Sequence, residues 1–245
     1  MNRALIVLFG SVLGLIAPAQ GQTAREMIDE SLRRHAPAPN AYEEHAMVIT
    51  DRQGQHSLRT LRYYAQSKGE VTRMLHIVES PPELKGAAIQ IERDAHDGTR
   101  RGPTPTTAIF GTNFLVADLE GEHPDDFQYE RGGDVDLERV PHMVLRARPL
   151  DASVARATSY YERHLYLRKD NLFLSRIDYQ DREGRPARRL RFRAPRPDEF
   201  GIWRASMMLM EDLRDGRRTL LKVERRVHSP DYVPNSVFEG LQARR

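Results

Sequence analysis

No cysteine occurs in the 245 residues, so a disulfide framework, a thiol nucleophile and a lipid-anchored cysteine are all excluded. Beyond residue 16 no apolar run approaches the roughly 20 residues that a bilayer-crossing helix needs. The sequence contains no Gly-x-Ser-x-Gly elbow and no glycine-rich phosphate loop, which removes the usual settings for an acyl-transfer serine or a nucleotide. His96-Asp97 and His123-Pro-Asp-Asp126 carry metal-binding residue types without the spacing of a ligand set, and polar loops collect such residues anyway. Asp125 and Asp126 are adjacent, so on a strand they point apart and do not converge on a substrate. One Trp and 7% aromatic residues give no stacking platform. Charge is abundant but balanced, with 38 Lys and Arg against 35 Asp and Glu, and this does not point to nucleic acid. An enzyme, a cofactor and a metal are therefore not expected.

What is present begins with a leader. Arg3 supplies a positive start, Ala4 to Ile16 an apolar stretch, and Ala19-Gln20-Gly21 small residues at a cleavage site. Residues 1–21 read as a cleavable signal, leaving 22–245 as one exported domain that does not span a membrane. Next, Thr23-Ala-Arg-Glu26 has the form of a capping box, and Met27, Ile28 and Leu32 follow at helical spacing before Pro37. One amphipathic helix opens the mature chain.

From Tyr42 the texture changes to short runs separated by turn signals. Strands are expected at about 42–50, 56–66, 71–80, 85–93, 127–132, 143–149, 160–169, 171–180, 187–194, 201–210 and 217–228. Asp51-Arg-Gln-Gly54, Lys169-Asp-Asn171, Asp181-Arg-Glu-Gly184 and Asp215-Gly216 suit tight turns between antiparallel neighbours. In Arg188-Arg-Leu-Arg-Phe-Arg193, Leu190 and Phe192 share one face and Arg189, Arg191 and Arg193 the other, so that strand is wet on one side. The expected fold is mainly β: an incomplete, strongly curved antiparallel barrel closed by one or two helices.

Two segments stand apart. Residues 94–105 are polar, with Gly98, Gly102, Pro103 and Pro105, and read as a mobile loop. Residues 108–119 form the most apolar stretch of the mature chain, with Thr112 a plausible N-cap and Phe114, Leu115 and Asp118 on a short helix; they read as a flap. Further on, Ile202-Trp-Arg-Ala-Ser-Met-Met-Leu-Met210 is expected as one strand, apolar on both faces. It fits either an ordinary central core strand or a wall whose pliable Met side chains line a cavity for a greasy ligand.

The signal, the opening helix, Met47-Val-Ile-Thr-Asp-Arg-Gln-Gly54, Ser80-Pro-Pro-Glu-Leu-Lys-Gly86, Ile109-Phe-Gly-Thr-Asn-Phe-Leu-Val-Ala-Asp-Leu119, the 160–193 hairpins and the Trp203 strand together resemble the outer-membrane lipoprotein-sorting protein-like family of the LolA/LolB-like superfamily. The resemblance implies a periplasmic carrier or chaperone whose apolar cavity takes a lipid or the acyl chains of a lipoprotein. It also implies an inner-membrane exporter as a second partner. Gly86, Gly111 and Asp118 fall on the family's motif positions, while residues 94–105 replace its usual aromatic strand. Together with the flap and the Met-rich strand, it places the cavity wall at Met47, Phe110, Phe114, Leu115, Trp203, Met208 and Met210. The alternative is a non-enzymatic accessory or interaction module of an envelope exporter, with the same fold and an interior filled by its own side chains.

Overall fold

The computed structural model describes residues 22–158 and 160–239; the expected signal at 1–21 lies outside the described residues. In chain order the elements are α1 (Ala24–Arg34), β1 (Asn40–Thr50), β2 (His56–Lys68), β3 (Val71–Ser80), β4 (Ala88–Asp94), β5 (Arg100–Arg101), α2 (Val116–Glu120), β6 (Phe127–Leu137), β7 (Val140–Pro149), α3 (Ala152–Ala157), β8 (Glu162–Arg168), β9 (Leu174–Gln180), β10 (Pro186–Arg193), β11 (Arg196–Pro197), β12 (Trp203–Arg204), β13 (Met207–Asp212), β14 (Arg218–Val227) and α4 (Ser236–Glu239). Twelve strands form one antiparallel sheet in the order β5-β4-β3-β2-β1-β14-β13-β10-β9-β8-β7-β6, and β11 and β12 make a separate ribbon. The sheet does not close on itself. A sheet of this many strands must curl to hide its apolar face, and here it forms an incomplete barrel. Among the described residues no helix is long and apolar enough to cross a membrane.

Local chemistry sets the hairpins. Asp51 accepts from the backbone N–H of Gln53 and Gln55, and Asp181 does the same for Glu183 and Arg185. In each turn a glycine follows at positive φ, Gly54 at 79° and Gly184 at 74°, where a side chain would be strained. The α1 capping box forms as expected: Thr23 Oγ1 accepts from the Glu26 N–H at 3.2 Å, and the Glu26 carboxylate accepts from the Thr23 N–H at 2.7 Å.

The inner face carries two buried apolar clusters. One gathers Met47, Leu61, Val78, Ile91, Ile177, Leu190, Met210 and Leu221 beneath Ile109, Phe114 and Val116. The other packs Leu145, Ala147, Leu165 and Leu167 of β7 and β8 against Ala24, Met27 and Ile28 of α1. On the outer face of β2 and β3, Tyr64 and Leu75 are covered by Val233 and Phe238 from the C-terminal segment.

Several local expectations are corrected. Residues 94–105 are not a free loop, because β5 pairs with β4 through Arg93–Arg100 and Glu92–Arg101. Asp94 and Asp97 hold the intervening turn by accepting from the His96 and Thr99 N–H groups. The 201–210 run is two elements. Trp203 and Arg204 leave the main sheet to pair with β11, and Arg204 donates to the carbonyls of His35 at 2.8 Å and Ala36 at 2.6 Å at the end of α1. Only Met207 onward joins β10 and β14. Thr112 does not cap α2. Its hydroxyl accepts from the Phe114 N–H within a turn, the helix starts at Val116 after Leu115, and the Asp118 carboxylate takes the Leu115 N–H. Finally, β6 and β7 form one long hairpin through a bulge at Gly132-Gly133, turning at Glu138 and Arg139 with φ of 51° and 66°. Those are non-glycine residues at positive φ, which sequence does not flag.

Candidate functional site

The inner face is a single surface built by alternation, with two covers. Across its centre Met47, Leu221, Met208 and Phe192 lie in register on β1, β14, β13 and β10. This row is apolar because every second residue of each strand points inward.

The segment leading into and out of α2 is the second cover. Ile109, Phe114 and Val116 sink into the first cluster at 1%, 0% and 0% exposure. The Asn113 side-chain amide donates to the carbonyls of Met210 and Arg217, both at 3.2 Å. Three carboxylates then meet three arginines of the sheet. Asp118 takes the Arg188 guanidinium from β10 and the Tyr179 hydroxyl from β9, the latter at 3.0 Å. Glu120 takes Arg100 of β5 at 2.8 Å. Glu122 takes Arg163 of β8 in a two-pronged pair at 2.7 and 2.5 Å, and the Tyr129 hydroxyl as well. The Arg163 guanidinium also lies 3.8 Å over the Phe127 ring, a favourable cation–π position. Burial, with the neighbouring acid second, pushes the Tyr129 and Tyr179 phenols above their usual range. Both hydroxyls therefore stay protonated and donate to their carboxylates.

At the other end of the inner face stands a group of polar side chains that sequence reading missed. Glu43 and His45 on β1, Tyr63 on β2, His76 on β3 and Arg226 on β14 sit side by side, since Glu43 is in register with both Tyr63 and Arg226, and Tyr63 with His76. His45 Nε2 is 2.6 Å from Glu43, and Arg226 pairs with the same carboxylate. Burial alone would push the Glu43 carboxyl up; the hydrogen bond from His45 and the Arg226 guanidinium hold it down to about 2. Burial pushes the His76 imidazole down to about 3, with the neighbouring His45 adding to the effect, so His76 is uncharged near neutrality. A signal did exist. Positions 41, 43, 45 and 47 share one face of β1, and a reader tracking parity would find Glu and His where the pattern calls for apolar residues.

Of the seven residues expected to wall a cavity, Met47, Phe110, Phe114, Met208 and Met210 come together in the first cluster. Met47, Phe114 and Met210 are fully enclosed there, at no more than 1% exposure, while Phe110 and Met208 are half-buried. Leu115 is half-buried at the start of α2. Trp203 is also half-buried and stands apart, 6.4 Å from the Phe173 ring with the Arg168 guanidinium 5.1 Å above it. Among the described residues no group of three or more His, Cys, Asp or Glu side chains is placed to hold a metal.

A family model described as "uncharacterized protein" matches residues 95–241. No curated protein matches the chain. Among solved structures, a domain named for outer membrane lipoprotein sorting, from Vibrio parahaemolyticus, superposes with a TM-score of 0.75 at 18% identity, covering 91% of this chain and 98% of that one. A DUF1329 family protein from Desulfovibrio piger gives 0.71 at 18% identity, over 89% and 99% of the two chains. A LolA superfamily protein from Nitrosomonas europaea gives 0.65 at 16% identity, over 89% and 98%. At these identities the likeness is one of fold, and it extends over nearly the whole of each structure.

Proposed function

This chain belongs to the family of uncharacterized proteins whose model spans residues 95–241, and from the fold it shares with a domain named for lipoprotein sorting and with a LolA superfamily protein we propose that it is a periplasmic carrier. Its cargo is a lipid, or the acyl chains of a lipoprotein, in transit through the cell envelope. The observation that carries this reading is the cover over the inner face. Its lid residues Ile109, Phe114 and Val116 are apolar, but its attachments are the pairs Asp118–Arg188, Glu120–Arg100 and Glu122–Arg163. When such a cover lifts, its charged groups regain water, and ion pairs exposed to solvent contribute only about 0–1 kcal/mol each. The apolar face beneath would then be exposed at a cost, unless acyl chains replaced the lid residues. Each buried methylene contributes roughly 0.8 kcal/mol, so part of one chain suffices to offset the loss. The mechanism is burial and release, without a covalent step.

Native mass spectrometry of the protein after mild extraction, and again after delipidation and incubation with a diacylated lipopeptide, tests the proposal. Acyl-bearing adducts are expected in both, and Phe114→Asp should abolish them. An apo mass throughout would overturn the carrier reading. The close packing of Met47, Phe114 and Met210 favours a second reading, an accessory module of an envelope exporter with its interior filled by its own side chains. Under that reading the protein stays ligand-free and co-purifies with an inner-membrane exporter.

A further inference from the structure

Strands β1, β2 and β3 present Ala41, Met47, Leu61, Ala65, Met74 and Val78 to the interior, yet between them they also present Glu43, His45, Tyr63 and His76. A purely packing role is better served by apolar side chains at these positions, because polar atoms buried without partners weaken a core. Two such atoms are present: His45 Nδ1 and His76 Nε2 are buried and have no hydrogen-bond partner. We propose that this group is the subsite for the head of the carried amphiphile, and that the head is uncharged and hydrogen-bonding, of the acylglycerol class. The inference rests on the carrier reading and adds the chemistry of the cargo's polar end.

Charge selects the head. The Glu43 carboxylate is already matched by Arg226, and His76 is uncharged. A phosphate or carboxylate head would meet Glu43, and an ammonium head would meet Arg226, so either leaves a like charge facing it in a desolvated place. Hydroxyl and ester groups offer both donors and acceptors without charge. The open hydrogen-bonding capacity matches them. His45 Nε2 lies 2.6 Å from the Glu43 carboxylate, which only accepts, and His45 Nδ1 and His76 Nε2 stand open to a hydroxyl or ester head. The Tyr63 ring packs against both imidazoles, stacked 5.6 Å from His45 and tilted 4.6 Å from His76, and among the described residues its hydroxyl has no partner. Burial pushes that phenol above its usual range, although the side chain keeps some accessible surface. A turn of the half-buried Tyr63 ring would uncover both histidines. An acyl chain attached to such a head has a path at hand, since Met47 is two residues along β1 from His45 and begins the apolar row through Leu221, Met208 and Phe192.

The test is equilibrium binding of the delipidated protein to 1-monooleoylglycerol, oleate and oleylamine, each below its critical micelle concentration. Monooleoylglycerol is expected to bind at least tenfold more tightly than either charged analogue. Tyr63→Phe should lower that affinity about tenfold, equivalent to about 1.4 kcal/mol, and leave oleate within about twofold. As a measurement that needs no variant, monooleoylglycerol should shift the imidazole nitrogen resonances of His45 and His76 in the wild-type protein. Equal affinity for the three heads, a preference for a charged one, or unmoved imidazole resonances would overturn the head-group assignment and leave the carrier reading standing. Failure of all three amphiphiles and of a diacylated lipopeptide to bind would overturn both.

Discussion

Helix α1 covers one half of the inner face with Ala24, Met27 and Ile28, whereas residues 108–122 cover the other with Ile109, Phe114 and Val116 and then fasten themselves through Asp118, Glu120 and Glu122. Both covers bury apolar side chains, so burial does not distinguish them. Their attachments do. Apolar contact is non-directional and loses its whole contribution only when the surfaces part. Buried ion pairs set one closed position, contribute little net stability over apolar replacements, and become costly when one partner is removed. The first cover is thus a wall, and the second has the physical character of a latch.

The largest effect should come from breaking the latch. Arg188→Met leaves Asp118 buried with only the Tyr179 hydroxyl and the Leu115 N–H, and should cost about 3–5 kcal/mol in urea unfolding. Amide exchange should rise first over 108–120. The double change Arg188→Met with Asp118→Leu should recover most of the loss; if it does not, the pair contributes more than a latch requires. Breaking the wall comes next. Ile28→Ala removes a fully buried side chain and should cost about 2–4 kcal/mol, loosening α1, β7 and β8 while leaving exchange over 108–120 unchanged. Equal loosening of both covers in these two variants would erase the distinction.

Acidification should act first through the polar group on β1, β2 and β3. His76 is held down to about 3 from an ordinary 6.5, so below pH 6.5 the unfolded chain takes up a proton that the folded one refuses. Stability should then fall by about 1.4 kcal/mol for each pH unit, with His35 and His123, also pushed down chiefly by burial, adding to the slope. Glu43 acts in the same direction at lower pH. Its stabilising contribution is full above its ordinary 4.5 and is lost as pH falls towards about 2. Unfolding midpoints of His76→Gln against wild type between pH 7 and 5 check this, and identical pH profiles would remove His76 from the account. The smallest effect belongs to Thr23→Ala, which deletes one side of the capping box. It should cost about 1 kcal/mol, with fraying confined to the first turn of α1.

Much of the strand layout was legible because its causes are local. Asp51 and Asp181 hold the same turn with the same bonds, and Thr23 and Glu26 find each other three residues apart. Leu190 and Phe192 alternate with arginines wherever the strand ends up. Misreadings arose where a distant partner decided. Arg204 is drawn away from the sheet by two carbonyls at the end of α1, some 168 residues earlier in the chain, and this breaks a run that looks continuous. Residues 94–105 look unstructured until Arg100 meets Glu120 and Arg101 meets Glu92.

The wall residues divide in the same way. Met47, Phe114 and Met210 could be named from apolarity alone, whereas Trp203, equally apolar, is carried off with the β12 ribbon. By itself, then, the sequence determined the antiparallel elements, the opening helix and the apolar parity of the inner face, since hydrogen-bonded turns, caps and side-chain alternation act within a few residues. Tertiary structure alone decided that Asp118, Glu120 and Glu122 find Arg188, Arg100 and Arg163, and that Glu43, His45, Tyr63, His76 and Arg226 share one patch. Those meetings depend on strand register and sheet curvature, which place side chains from opposite ends of the chain within hydrogen-bonding reach.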